Sequence, residues 1–235
     1  IGHPVELPRI VTSSEVAAEA YSEPLVAAGT GDNMAAALAL DLQPGDVVVS
    51  IGTSGVASAI VNEPVSDRTG SVTGFADATS RFLPLVATIN AARILELQCT
   101  LLGVDHDELA RLALAAPSGA NGLTVLPYYD GERTPSRPAA TGVWSGMTTS
   151  TAREDLARAA VEALLCSLAD AIDHLSATTG TPPQRILMIG GAASNPAVRT
   201  LAPAIFGKPV TVPAPGEYAA LGAARQAAWA LSGSV

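Results

Sequence analysis

At 235 residues and 48% hydrophobic composition, the chain carries enough apolar material for an ordered core, which excludes a disordered polypeptide. A formal net charge of -9, a pI near 4.7 and a single lysine, Lys208, exclude a nucleic-acid surface or one that docks on anionic membranes. No window reaches the apolar length of a membrane span, and the opening Ile-Gly-His-Pro-Val-Glu has no charged-then-apolar signal pattern. Cys99 and Cys166 have neither metal-ligand spacing nor a disulfide framework, so two reduced core thiols in a cytoplasmic protein are expected.

Residues up to Tyr21, with Pro4, Pro8 and a short acidic, alanine-rich piece, read as a surface connection. Residues 26–34 follow as Val-Ala-Ala-Gly-Thr-Gly-Asp-Asn-Met: an apolar run stops at Gly29, Thr30 and Gly31 and presents Asp32 and Asn33 before an alanine-rich helix over 34–42. A glycine turn lets backbone approach a ligand, and a helix N-terminus favours an ionised carboxylate. Held there, Asp32 can accept a proton from a substrate hydroxyl; the alternative is an Asp N-cap. The β-branched run 47–51 and the run 56–61 flank Gly52-Thr53-Ser54-Gly55 and predict a β-hairpin, with Phe75 and 82–87 adding one or two strands.

Apolar spacing then predicts a helix over 89–102, and Asp105 to Glu108 reads as a capping box opening the next. A short strand at 123–127 leads into 128–146, rich in Gly, Pro, Arg and Thr without helical or strand period, expected to be a long ordered loop. Thr151-Ala-Arg-Glu154 is a second capping box, before a long helix with Leu156, Ala160, Leu164, Leu168, Ile172 and Leu175 on one face; Gly180, Pro182 and Pro183 end it. The last quarter alternates: strand 185–189, a small-residue turn, Asn195 as cap with Pro196 at the first helical position, helix 197–206, strand 209–212 and a closing helix over 217–231. An antiparallel opening followed by this alternation predicts a three-layer α/β domain, a mixed sheet with helices on both faces, forming one domain over 1–235.

Three small-residue turns each follow an apolar run: 29–32, 52–55 and 190–195. If their strands share a sheet, the turns converge on one edge and aim backbone N–H groups at phosphate oxygens. Other phosphate and nucleophile motifs fail. Gly190-Gly191-Ala192-Ala193-Ser194-Asn195 lacks the dinucleotide spacing and its acidic partner, Lys208 sits between Gly207 and Pro209 rather than in a P-loop, and Gly52-Thr53-Ser54-Gly55 is one residue short of a hydrolase elbow. His3, His106 and His174 show no metal spacing. Glu132 and Arg133 read as an ion pair fixing their loop, Trp144 as packing and Glu217 as a helix cap.

Gly-Thr-Gly-Asp-Asn, Ser-Ile-Gly-Thr-Ser-Gly, Pro-Tyr-Tyr-Asp-Gly-Glu-Arg-Thr-Pro (127–135) and Ile-Gly-Gly-Ala-Ala-Ser-Asn-Pro occur in that order. With Gly142-Val-Trp-Ser-Gly146-Met147 and the following Asp155, Leu156, Ala159, Ala160, Val161 and Glu162, they resemble the C-terminal lobe of the FGGY carbohydrate kinases from Val26 onward. The resemblance implies an actin-like ATPase fold with an RNase H-like core, ATP and Mg2+ as cofactors, and a sugar held in a cleft between two lobes. It makes Asp32 the general base, places Asn33 beside the sugar, and assigns Gly52, Thr53 and Ser54 to one phosphate loop and Gly190, Gly191, Ala192 and Asn195 to the nucleotide loop. It also implies that an N-terminal sugar-binding lobe with an Asp-x-Gly-Thr loop is absent from this chain, which alone would transfer phosphate poorly or not at all. D-xylulose is the substrate expected first, with gluconate, ribulose or glycerol as alternatives and a noncatalytic nucleotide-binding lobe as the rival from another class. Dimerisation is common in relatives, so a homodimer is left open.

Overall fold

A computed structural model describes residues 7, 9–19 and 24–233; His3, Pro4, Pro8 and Tyr21, named in the sequence reading, lie outside them. The elements in order are β1 (Val16–Glu19), β2 (Leu25–Ala27), α1 (Asp32–Ala39), β3 (Asp46–Ile51), β4 (Gly55–Ala59), β5 (Leu85–Thr88), α2 (Ala92–Leu102), α3 (His106–Ala115) and β6 (Thr124–Leu126). They continue as β7 (Val143–Ser145), α4 (Arg153–Thr179), β8 (Arg185–Ile189), α5 (Pro196–Phe206), β9 (Val210–Thr211) and α6 (Tyr218–Ser232). Two compact units result, one from the described residues of 1–42, 76–81 and 216–235, the other from 43–75 and 82–215.

The larger unit is built on a five-stranded mixed sheet in the order β5-β4-β3-β8-β9. The three sequential strands β3, β4 and β5 pair antiparallel, whereas β8 and β9, each reached through a helix, run parallel to β3. Strand period 2 sends Val47, Val49, Ile51, Ala57, Ala59, Val86, Ile186 and Met188 into one core, where they meet Ile94, Leu95, Leu109, Leu112, Leu164, Leu168 and Leu175 from the helices. The 27-residue α4 spans this core, and its expected stripe is buried except for half-buried Leu156 at the first turn. Arg158, 9% exposed, ties α4 to the end of α3: its Nε donates to Glu162 at 2.6 Å and its Nη1 to the Ala116 carbonyl at 3.3 Å.

Several local expectations are corrected. The α4 box starts one residue late: Ala152 is the N-cap and has no side-chain acceptor, so Asp155 alone closes the turn by accepting the Ala152 N–H at 2.9 Å, while the Thr151 hydroxyl accepts the Thr148 N–H. Within the expected loop, 143–145 forms β7 and pairs with β6, a run too short for its alternation to be read from sequence. Glu132 and Arg133 are not an ion pair; the Glu132 carboxylate accepts backbone N–H groups instead. Cys166 is an exposed free thiol rather than a core residue, because its position on α4 faces away from the apolar stripe; Cys99 is half-buried and free.

In the smaller unit, 16–19 is a strand rather than a connection, since β1 pairs antiparallel with β2 in a two-stranded sheet. The two helices α1 and α6 pack so closely that a Cβ on Gly222 would lie 1.8 Å from the Ala35 carbonyl oxygen. Arg225 donates from Nη1 to the carbonyls of Leu38, at 2.6 Å, and Ala39, satisfying acceptors that the end of α1 leaves open. Gln226, 2% exposed, donates to the carbonyls of Ser13 and Gly29 at 3.1 and 3.2 Å. Glu217 stands at the N-cap of α6 but its side chain makes no capping hydrogen bond.

Candidate functional site

Because β3 and β8 are parallel neighbours, with Ser50 opposite Ile189, their C-terminal ends lie side by side. Open α/β sheets take ligands at the carboxyl ends of such strands. The turns that follow them, 52–54 and 190–195, therefore emerge at one edge and enclose a cavity of about 420 Å³. Gly52 and Thr53 line it from the first turn, and Gly191, Ala192 and Asn195 from the second, so five of the residues expected in phosphate or nucleotide loops meet at one place.

Both turns are held by backbone contacts. The Gly52 and Thr53 carbonyls accept the N–H groups of Ala92, at 2.9 Å, and Ala91, at 3.2 Å, while the Gly52 N–H donates to the Ser54 carbonyl. Ser54 thus shapes the hairpin tip and is not among the residues that line the cavity. Gly190, also outside the lining, has φ +94°, and a Cβ there would stand 2.6 Å from the Ile51 carbonyl oxygen, so only glycine brings the second turn this close to the end of β3. Asn195 caps α5: its Oδ1 accepts the N–H of Ala197 at 2.9 Å and of Val198 at 3.2 Å, and its Nδ2 donates to the His106 carbonyl at 3.4 Å.

The sequence reading missed the rest of the wall. Leu95 and Glu96 come from α2, and His106 and Asp107 from the first turn of α3. Their only sequence signal was membership of amphipathic helices, and which helix face meets a cavity is decided by packing. With no Lys or Arg in the lining, and with the first N–H groups of α2 and α5 already given to the turn carbonyls and to Asn195, an anion there would be held by turn amides, while the Glu96 and Asp107 carboxylates offer acceptors for hydroxyl or amino groups. Leu95, Ala192 and Pro196 add an apolar wall suited to a ring.

Asp32 and Asn33 belong to the smaller unit. Gly31 is the N-cap of α1, so Asp32 is the first helical residue and not the cap. It is exposed, and its Oδ1 accepts the Asn33 backbone N–H at 2.8 Å and the Asn33 side-chain amide at 3.3 Å. Since among the described residues β2 pairs with β1 in a separate two-stranded sheet, the third turn does not follow a strand of the five-stranded sheet. Among the described residues no group of three or more His, Cys, Asp or Glu is arranged to hold a metal ion, and no helix is long and apolar enough to cross a membrane.

Residues 47–231 match the C-terminal domain of the FGGY family of carbohydrate kinases. The chain belongs to that family. It is 40% identical to the xylulose kinase of Streptomyces coelicolor over 238 residues, 98% of this chain and 48% of that protein. The crystal structure of xylulose kinase from Bifidobacterium adolescentis, 51% identical, superposes with a TM-score of 0.84 and covers 95% of this chain and 46% of that one. The gluconokinase of Bacillus subtilis is 30% identical over 210 residues, 83% of this chain and 41% of that protein. This FGGY chain thus spans about half the length, or less, of the curated relatives it matches. The matched stretch contains both cavity turns; Asp32 and Asn33 precede it.

Proposed function

We propose that this chain is the nucleotide-binding part of an ATP-dependent sugar kinase whose acceptor is D-xylulose and whose product is D-xylulose 5-phosphate. The observation that carries the reading is the cavity formed by 52–54 and 190–195 at the ends of parallel β3 and β8. Membership of a carbohydrate kinase family and similarity to xylulose kinases over nearly the whole chain support the acceptor. In this reading the turn amides hold the phosphates, Glu96 and Asp107 accept from ribose hydroxyls, and the base stacks on the Leu95 and Ala192 wall. A magnesium ion carried by the nucleotide would supply charge neutralisation at the phosphates.

Asp32 is the general base. It takes the proton of the sugar hydroxyl as that oxygen forms its bond to the γ-phosphorus and the bond to the ADP oxygen breaks. Asn33 holds the carboxylate in orientation and lies beside the sugar. Phosphoryl transfer asks a protein chiefly for position and electrostatics, which amide-lined turns and one oriented carboxylate provide.

The test is ATP-dependent phosphorylation of a sugar panel by this chain alone and by the complete gene product. Transfer by the complete protein, fastest on D-xylulose, with nucleotide binding but no transfer by this chain alone, is the expected result. The similarity to a gluconokinase favours one alternative, transfer fastest on gluconate, which would overturn the choice of acceptor. Binding of ATP without transfer to any polyol would leave a noncatalytic nucleotide-binding protein.

A further inference from the structure

We infer that Glu132 is a positioning residue for the Gly52 to Ser54 turn, acting through residues 89–92, which lead into α2. Glu132 is 1% exposed, and its carboxylate faces no cation within ion-pair distance among the described residues. Four N–H donors surround it instead. Oε1 accepts the backbone N–H groups of Ile89, at 2.6 Å, and Arg133, at 2.7 Å; Oε2 accepts the backbone N–H of Asn90, at 3.3 Å, and its side-chain amide, at 3.0 Å.

The next two amides complete the connection. Ala91 and Ala92 donate to the Thr53 and Gly52 carbonyls, so four successive N–H groups, 89 to 92, are divided between Glu132 and the turn that lines the cavity. Ala91, at the N-cap of α2, has no side chain able to cap; the carbonyls of the cavity turn accept the N–H groups of Ala91 and Ala92, and Glu132 holds the two residues just before them. That loop is itself fixed, since Glu132 and Arg137 exchange backbone hydrogen bonds at 2.8 and 2.9 Å and Asn90 Nδ2 donates to the Gly131 carbonyl at 2.7 Å. A buried carboxylate without a cation is a costly way to hold a loop unless its donors need a fixed direction. Here the direction it fixes is that of the backbone which holds the cavity turn in place. The consequence for activity rests on the nucleotide reading above; the consequence for the backbone does not.

The experiment uses the complete gene product with Glu132→Gln, which keeps the shape but turns one acceptor into a donor facing N–H groups. Asp46→Asn, at the opposite end of β3, serves as a control for lost stability. The expected result is faster amide exchange at 52–54 and 89–92 without ligand, and a KM for ATP raised about tenfold beyond that of the control, with the KM for sugar unchanged. Glu132→Asp, which keeps both oxygens, recovers part of the loss and replaces the glutamine variant if that one does not fold. Unchanged exchange at 52–54, or an ATP KM raised no more than in Asp46→Asn, would overturn the proposal. A parent protein that phosphorylates no sugar would overturn the proposed function alone, because exchange at 52–54 still decides the role of Glu132.

Discussion

A sugar hydroxyl must lose its proton as it attacks phosphorus, and a carboxylate can take that proton only if it is exposed and oriented. Asp32 meets both conditions, at the first position of α1 with Asn33 donating twice to one of its oxygens. In the complete protein Asp32→Ala is expected to lower kcat by about 10²–10⁴, the range of a lost general base, while nucleotide affinity stays within about twofold. Steady-state rates and titration calorimetry with ATP check this, and weakened nucleotide binding with retained transfer would remove Asp32 from the role. The turn residues that line the cavity were legible because their types are unusual for their setting: a Gly-Thr-Ser-Gly tip and a Gly pair, each after an apolar run. Glu96, His106 and Asp107 were not, since charged and polar residues on an amphipathic helix occur on every solvated face.

At the scale of elements, the parallel pair of β3 and β8 sets the cavity, and a charge pair closes its far end: Arg185 Nε donates to Asp46 Oδ1 at 2.9 Å. Burial alone would raise the Asp46 carboxyl, but the Arg185 guanidinium and the Gln43 N–H outweigh it and hold the group below its ordinary value of 3.8. A depressed folded-state pKa means the pair stabilises fully above the unfolded value and is lost as pH falls through the folded one. Asp46→Asn should therefore cost about 1–3 kcal/mol near neutral pH, with the deficit against the parent shrinking as pH drops below 3.8. Thermal melts of both proteins across that range test the sign, and a deficit that grows in acid would refute it. In the smaller unit the close element contact is α1 on α6, where a methyl on Gly222 would meet the Ala35 carbonyl carbon at 2.3 Å as well as its oxygen. Gly222→Ala is expected to destabilise by about 1–3 kcal/mol, read as faster exchange across both helices. Exchange unchanged in α1 would show that the helices do not depend on that approach.

Across the whole molecule, the charge of -9 and the absence of Lys or Arg from the cavity lining mean that, under the function proposed above, attraction of a nucleotide to this cavity would not come from a field of basic side chains. Turn amides act over hydrogen-bond range, so they add little of the long-range attraction that salt screens. Raising salt from about 0.05 to about 0.5 M should weaken ATP binding by less than about threefold, where a lysine-lined site would lose far more. Calorimetric titration at several salt concentrations decides this, and a steep dependence would point to basic groups beyond the described residues.

Read by itself, the sequence determined the order and nature of most elements, the mixed sheet, and the two turns that meet at the cavity, because glycine, proline and apolar period act within a few residues of themselves. It also carried the family, through motifs whose residue types serve backbone geometry. Only the tertiary structure decided what depends on distant partners: that 143–145 joins β6, that Cys166 faces water, which helix faces wall the cavity, and that Glu132 accepts the N–H groups of Ile89 and Asn90 rather than pairing with Arg133. A buried carboxylate chooses its donors by which unsatisfied N–H groups packing brings to it, and local sequence does not record that choice.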